Sequence, residues 1–269
     1  MPLAGLRKVG GFGMRVIARA VLRLEARAVG GRPIPLRLVR FARRLAIGDD
    51  PLLPRPKSIT TTGRALRHPG LRVLLADLEL GTWALGALTI DWLENRVARL
   101  HPSLVLEFGS GTSTLCLAQF MVDMHGNAPV VRVVSIDQDE SYAEQTRELL
   151  RRSGLDTYVR VLSSALQEQE IEGVLTTCYG FPAGLSEILD GRKADFVLID
   201  GPAAETGARF GTLPLARPYL SPFAAFVLDD GLRDGEIWIA RQWARLPGVR
   251  IDGIINIDKG LVVGSLTGA

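Results

Sequence analysis

From about residue 101 onward, short apolar runs and helix-length amphipathic stretches take turns, and this alternation constrains the fold more than any other property of the chain. The runs cover residues 104–106, 130–136, 158–162, 196–199 and 226–228. Helical patterns fill the gaps at 112–124, 139–152, 183–190, 211–220 and 233–245. Short runs that are apolar on both sides suit strands covered on both faces, and strand–helix alternation joins such strands in parallel. The tail breaks the rule. Residues 249–255 and 261–266 are separated by Asn256, Ile257, Asp258, Lys259 and Gly260, which is hairpin chemistry. The predicted fold class is α/β: a doubly wound, mostly parallel seven-stranded sheet with a C-terminal antiparallel hairpin, plus an N-terminal helical extension.

The front of the chain is different in character. Residues 1–57 carry a net charge of +10 and residues 58–269 one of −7. The sequence therefore divides into a basic helical arm and linker (1–57), a helical lead-in packing on the core (58–100) and a Rossmann-like domain (101–269). In the arm, Met14, Ile17, Val21, Leu24 and Ala28 recur at helical spacing, while Arg15, Arg19, Arg23 and Arg27 step by four along another side. A second basic helix is predicted over 36–47, and Pro51, Pro54 and Pro56 mark a linker. Two readings of residues 14–47 stand: contact with an anionic membrane surface or an acidic partner, or an extension packed on its own domain or on a second subunit of a homo-oligomer. An acidic body argues against nucleic acid as a partner, because gripping phosphate needs positive charge at the site. Arginines interrupt every apolar run near the start, so no secretory signal is expected, and no stretch is long and apolar enough to span a bilayer. The expected location is cytoplasmic, with peripheral membrane contact left open. Two cysteines and three histidines, scattered along the chain, exclude a disulfide framework and zinc-ligand spacing. Any metal would be a hard, oxygen-bound one.

In open parallel sheets, ligands lie beyond the carboxyl ends of the strands. Those ends carry a repeated feature here. The first predicted strand runs into Glu107, Phe108, Gly109, Ser110 and Gly111; the second ends at Asp137; the fourth at Asp200; the fifth at Asp229 and Asp230. A single terminal aspartate is usually a turn former or helix cap, but four strands ending alike point to a ligand edge. The loop Gly109-Ser110-Gly111-Thr112-Ser113-Thr114 begins like a dinucleotide fingerprint, yet Thr114 stands where the third glycine belongs. Glu107 is awkward beside a pyrophosphate and suits a ligand bearing an ammonium group. Asp137, 26 residues after Gly111, is placed to accept the hydroxyls of a ribose. Together these describe S-adenosylmethionine better than NAD.

On these residues the chain resembles the class I S-adenosylmethionine-dependent methyltransferases: residues 104–114, then 134–137, then 196–202, then 227–231 follow that family's successive motifs over roughly 101–269. The resemblance implies that Glu107, Gly109 and Gly111 line the methionine end of the donor, and that Ser110, Thr112 and Ser113 also belong to the cofactor-binding set. It also implies that Asp137 holds the ribose, that Ser163 and the adjacent Ser164 face the adenine, and that Asp200 reaches the donor. A narrower resemblance is to catechol-type, metal-dependent O-methyltransferases, which set an Asp after strand four and an Asp-Asn pair after strand five around Mg2+. Asp200, Asp229 and Asp230 occupy comparable positions, so they are candidate metal ligands. Two departures stand out: Asp230 replaces the Asn, and Gly201, Pro202 and Ala203 follow Asp200 without that family's lysine. The alternative is that Asp229 or Asp230 caps the next helix or pairs with Arg233. With no histidine in a motif, Asp200 and Asp230 are the candidate catalytic bases. Arg209 and Arg233 either meet an anionic acceptor or serve as surface or pairing arginines; Tyr179 and Trp83 either cover the site or pack. The resulting expectation is methyl transfer to a small-molecule or saccharide acceptor, most readily at oxygen. The alternatives are a non-catalytic donor-binding or scaffold protein recruited by its basic arm, and an NAD-dependent oxidoreductase.

Overall fold

A computed structural model describes residues 51–59, 66–76, 85–182, 184–204 and 207–268. The two basic helices expected over 14–28 and 36–47, and Trp83, lie outside the described residues. In chain order the elements are β1 (Lys57–Ser58), α1 (Pro69–Leu74), α2 (Ala87–Leu100), β2 (Val105–Phe108), α3 (Thr112–His125), β3 (Val133–Asp137), α4 (Glu140–Arg152), β4 (Val159–Ser163), β5 (Leu166–Ile171), β6 (Val174–Tyr179), α5 (Leu185–Leu189), β7 (Ala194–Ile199), α6 (Thr212–Ala216), β8 (Leu220–Leu228), α7 (Asp234–Trp243), β9 (Val249–Asn256) and β10 (Leu261–Leu266). Short 3-10 turns at Ala208–Gly211 and Arg217–Tyr219 flank α6.

The main sheet has the order β1-β9-β10-β8-β7-β2-β3-β4. Strands β4, β3, β2, β7 and β8 are parallel, and β10 runs antiparallel to both β8 and β9. The expected seven strands and terminal hairpin are all present. An eighth, β1, is only two residues long and adds to the β9 edge in parallel, so the proline-marked linker ends in the sheet. The strands alternate as the sequence demands. Val105, Val133, Phe196, Leu198 and Val227 pack with α1 to α4 on one face. Leu106, Phe108, Val134, Ile136, Val197, Ile199, Phe226 and Leu228 pack with α5 to α7 on the other. Because successive side chains point to opposite faces, a run of consecutive apolar residues feeds both layers at once. The weakest run, now β4, lies at the edge, where one flank needs no partner strand.

Residues 164–182, which hold no expected element, instead contain a separate two-stranded sheet, β5–β6. Its turn is Glu172-Gly173, with φ of +51° and +75°. Two central residues with positive φ are the requirement of a two-residue hairpin turn. The segment predicted as a helix over 211–220 is shorter and partly 3-10, since Pro214 and Pro218 cannot donate backbone hydrogen bonds. Among the described residues, no helix is long and apolar enough to cross a membrane.

Candidate functional site

The tips of β2, β3, β7 and β8 are adjacent, so Glu107, Asp137, Asp200 and Asp229–Asp230 share one edge of the sheet. The β2–α3 loop depends on glycine. Gly109 has φ of +92°, and a Cβ there would meet the backbone nitrogen of Gly201 at 2.8 Å. A Cβ on Gly201 would in turn lie 2.9 Å from the nitrogen of Gly109. The loops after β2 and β7 therefore touch backbone to backbone. Gly111, at φ +148° with open space around it, supplies the second bend.

Thr114 explains the missing third glycine. Its Oγ1 accepts from the Gly111 backbone N–H at 3.0 Å and donates to Glu107 Oε2 at 2.6 Å. One buried hydroxyl thus closes the first turn of α3 and anchors the carboxylate below it. Glu107 has no exposed surface. Burial pushes its pKa up to about 7, against the pull of neighbouring hydroxyls. Its other oxygen, Oε1, is buried and without a hydrogen-bond partner among the described residues.

Asp137 is also buried and holds the same loop from the β3 side. Its Oδ2 accepts from both the backbone N–H and the hydroxyl of Ser110, at 2.7 and 2.8 Å. Its Oδ1 accepts from the Asp139 N–H at 2.9 Å. One lone pair of Oδ1 stays free, and rotation of the Ser110 hydroxyl would release another. Ser163 pairs in register with Asp137, and Ser164 N–H donates to the Asp137 carbonyl at 2.8 Å, so both serines do reach this edge. Ser113 is buried in the first turn of α3, with Thr112 half-buried before it. Tyr179, at the end of β6, is fully buried against Phe108, with ring centroids 5.4 Å apart. Its hydroxyl donates to Gln138 Oε1 at 3.2 Å, and burial holds its pKa well above the usual phenol value. It packs under the site and does not lie over it.

The β7–β8 half is built from charge. Oxygens of Asp200, Asp229 and Asp230 lie within 4.8 Å of one another. Between them runs the guanidinium of Arg209, delivered by the 3-10 turn before α6 and 7% exposed. Its Nη1 donates to Asp230 Oδ2 at 3.2 Å and to the Asp229 carbonyl at 3.3 Å; its Nη2 donates to Asp200 Oδ1 at 3.4 Å. Glu236 Oε1, from the first turn of α7, is 3.8 Å away. Asp230 also pairs with Arg233 at 2.7 Å and faces Lys259 Nζ at 3.9 Å. Arg209 and Arg233 are thus pairing arginines, and Arg209 is not a surface residue. Asp230 pairs with Arg233 and does not cap α7, whose N-cap residue is Arg233 with no side-chain cap. Burial, reinforced by Asp229, raises the pKa of Asp200 well above the carboxylate range. Burial and the neighbouring Asp230 raise that of Asp229 to about 6. Burial alone opposes the charge of Arg209, but the surrounding carboxylates outweigh it and its pKa rises. Asp229 Oδ2 and Asp230 Oδ1 are buried without hydrogen-bond partners among the described residues. The sequence marked Arg209 only as a flanking residue and did not single out Glu236 or Gln138; no local motif links Arg209 to acids 20 and 27 residues further on.

A strand-tip edge with a glycine loop, a buried glutamate and a β3 aspartate has the shape and polar groups that a nucleoside cofactor would need. Residues 106–231 match the sequence model of a family described as a methyltransferase domain, and the match spans the motifs that resemble the class I S-adenosylmethionine-dependent type. Solved structures with the same fold include an O-methyltransferase from Bacillus cereus in complex with SAH, at 18% identity and TM-score 0.52, covering 74% of this chain and 91% of that one. They include TomG from Streptomyces achromogenes, an O-methyltransferase involved in tomaymycin synthesis, in complex with SAM, at 18% identity and TM-score 0.52, covering 76% and 92%. Cofactor-bound Rv0187 from MTB aligns over 89% of this chain and all 100% of its own, at 20% identity and TM-score 0.53. At these identities the likeness establishes the fold. No curated protein matches the sequence at a significant level.

Proposed function

We propose that the protein methylates a hydroxyl oxygen of a small-molecule or saccharide acceptor. The observation that carries this reading is the placement of Asp200. It follows β7 beside the β2–α3 loop, its side chain is 18% exposed while Asp229 and Asp230 are 2% exposed, and burial raises its pKa, which favours proton acceptance. S-adenosylmethionine, when bound, supplies an electrophilic methyl group, so the protein's task is alignment and proton removal. Glu107 offers its unpartnered oxygen toward the ammonium end of the donor, a charge-assisted contact that also favours the ionised carboxylate. Asp137 accepts a ribose hydroxyl at Oδ1 while Ser110 keeps the loop in place. Ser163 and Ser164 lie along the same edge for the base. Asp200 accepts the proton of the acceptor hydroxyl. Asp230, the other candidate base, faces three cations and is left the role of fixing Arg209 and Arg233.

Titration calorimetry with S-adenosylhomocysteine should show one site per chain; no binding by folded protein would sink the proposal. Turnover is read with methyl-labelled donor against a panel of hydroxylated small molecules and saccharides. Asp200→Asn should keep donor affinity and lose transfer. A variant that instead loses donor affinity would move Asp200 into the donor pocket and leave the base unassigned.

A further inference from the structure

We infer that Arg209 is the resident cation of the carboxylate cluster at the β7 and β8 tips, and that the cluster works without a divalent metal ion. The inference rests on the methyltransferase reading only for what the cluster is used for; the charge arrangement stands on its own. Three aspartates within 4.8 Å of one another have the ligand count for a hard cation. What decides against it is the position of the positive charges already present. Arg209 lies 3.2 Å from Asp230 Oδ2 and 3.4 Å from Asp200 Oδ1. The other oxygen of Asp230 has Lys259 Nζ at 3.9 Å, and Arg233 adds a further contact at 2.7 Å to the first. Asp230 therefore has no oxygen clear of a cation, and Asp200 shares one with the guanidinium. A magnesium ion sits about 2.1 Å from each ligand oxygen, which would bring it to within roughly 5.5 Å of a buried guanidinium if it used the shared oxygens. Arg209, Arg233 and Lys259 already balance all but one charge of Asp200, Asp229, Asp230 and Glu236. Every carboxylate of the cluster except Asp229 already shares an oxygen with a cation, so a divalent ion would have to compete with the Arg209 guanidinium for the cluster.

A consequence for the acceptor follows. A metal-centred site selects neighbouring oxygens that can chelate the ion. A guanidinium-held aspartate instead recognises one hydroxyl as a hydrogen-bond donor, so a vicinal diol is not required. The acceptor class therefore includes molecules that present a single hydroxyl to Asp200.

The test is titration of Mn2+ into the full chain, with and without S-adenosylhomocysteine, followed by the electron-paramagnetic signal of the free ion. The wild type should leave the signal at buffer level. Arg209→Gln, which keeps the bulk and removes the charge, should bind one ion at least tenfold more tightly than the wild type, and Asp229→Asn on that background should abolish the gain. One tightly bound ion in the wild type, lost in Asp229→Asn, would overturn the inference. So would a folded Arg209→Gln protein that gains no affinity for Mn2+. If Arg209→Gln does not fold, the wild-type titration alone decides. Failure of the methyltransferase reading would show separately, as absent S-adenosylhomocysteine binding.

Discussion

The two halves of the strand-tip edge hold their acids by different means. On the β2–β3 side, Glu107 and Asp137 are buried among hydroxyls and backbone N–H groups: Thr114, Ser110 and Asp139 supply the partners, and among the described residues no cation pairs with either carboxylate. On the β7–β8 side, Asp200, Asp229 and Asp230 are held by arginine and lysine. A hydroxyl cradle leaves the acid's charge unspent, ready for a cationic ligand. An arginine cradle uses that charge internally and leaves a geometry. Under the proposed function, the first half would bind a positive cofactor and the second would position a neutral acceptor.

This contrast is sharpest where a cradle is removed. Arg209→Met leaves four clustered acids with their central cation gone, and should cost about 3–5 kcal/mol of stability, read by urea unfolding. A loss below about 1 kcal/mol would mean that the acids carry protons in place of charge. The donor half should answer to pH. Glu107 has a pKa of about 7 when folded, raised above its usual 4.5. Its folded state therefore holds a proton that the unfolded chain has released, and its contribution is fully present below pH 4.5 and is lost as pH rises through 7. That amounts to about 3 kcal/mol. Glu107→Gln should flatten the stability profile over this window, and an unchanged slope would assign the titration elsewhere. Donor binding favours the ionised form, so affinity for S-adenosylhomocysteine should rise with pH across the same range.

Smaller effects separate binding from packing. Asp137→Ala should weaken donor affinity by about 1.5–3 kcal/mol through loss of charge-assisted hydrogen bonds; unchanged affinity in calorimetry would take Asp137 out of the site. Tyr179→Phe removes one 3.2 Å hydrogen bond beneath the edge. It should cost roughly 1 kcal/mol of stability and leave donor affinity alone. A larger change in affinity than in stability would make Tyr179 part of the donor pocket.

The same contrast explains what was legible from residues alone. The donor half is local. Glu107 through Thr114 is one unbroken stretch, and Asp137 follows from strand alternation, so spacing was enough to place them. The acceptor half depends on Arg209 reaching across 21 residues to Asp230 and 9 back to Asp200. An arginine on an irregular turn carries no periodic signal of where its long side chain ends. The β5–β6 hairpin was missed for another reason. Gln167, Glu168, Gln169 and Glu170 break the apolar alternation that marks a half-buried strand, although Glu172-Gly173 was a turn signal in plain view.

The backbone contact between Gly109 and Gly201 also limits how this protein could be re-engineered. Substrate scope in such folds is commonly altered by exchanging surface segments, as loops are the parts most tolerant of change. Here the segment after β7 cannot be swapped as a free module, because its second residue, Gly201, is keyed into the β2–α3 loop with no room for a side chain on either partner. A graft that respects the lock must begin after position 201; one that starts earlier should abolish cofactor capture before selectivity can be assayed.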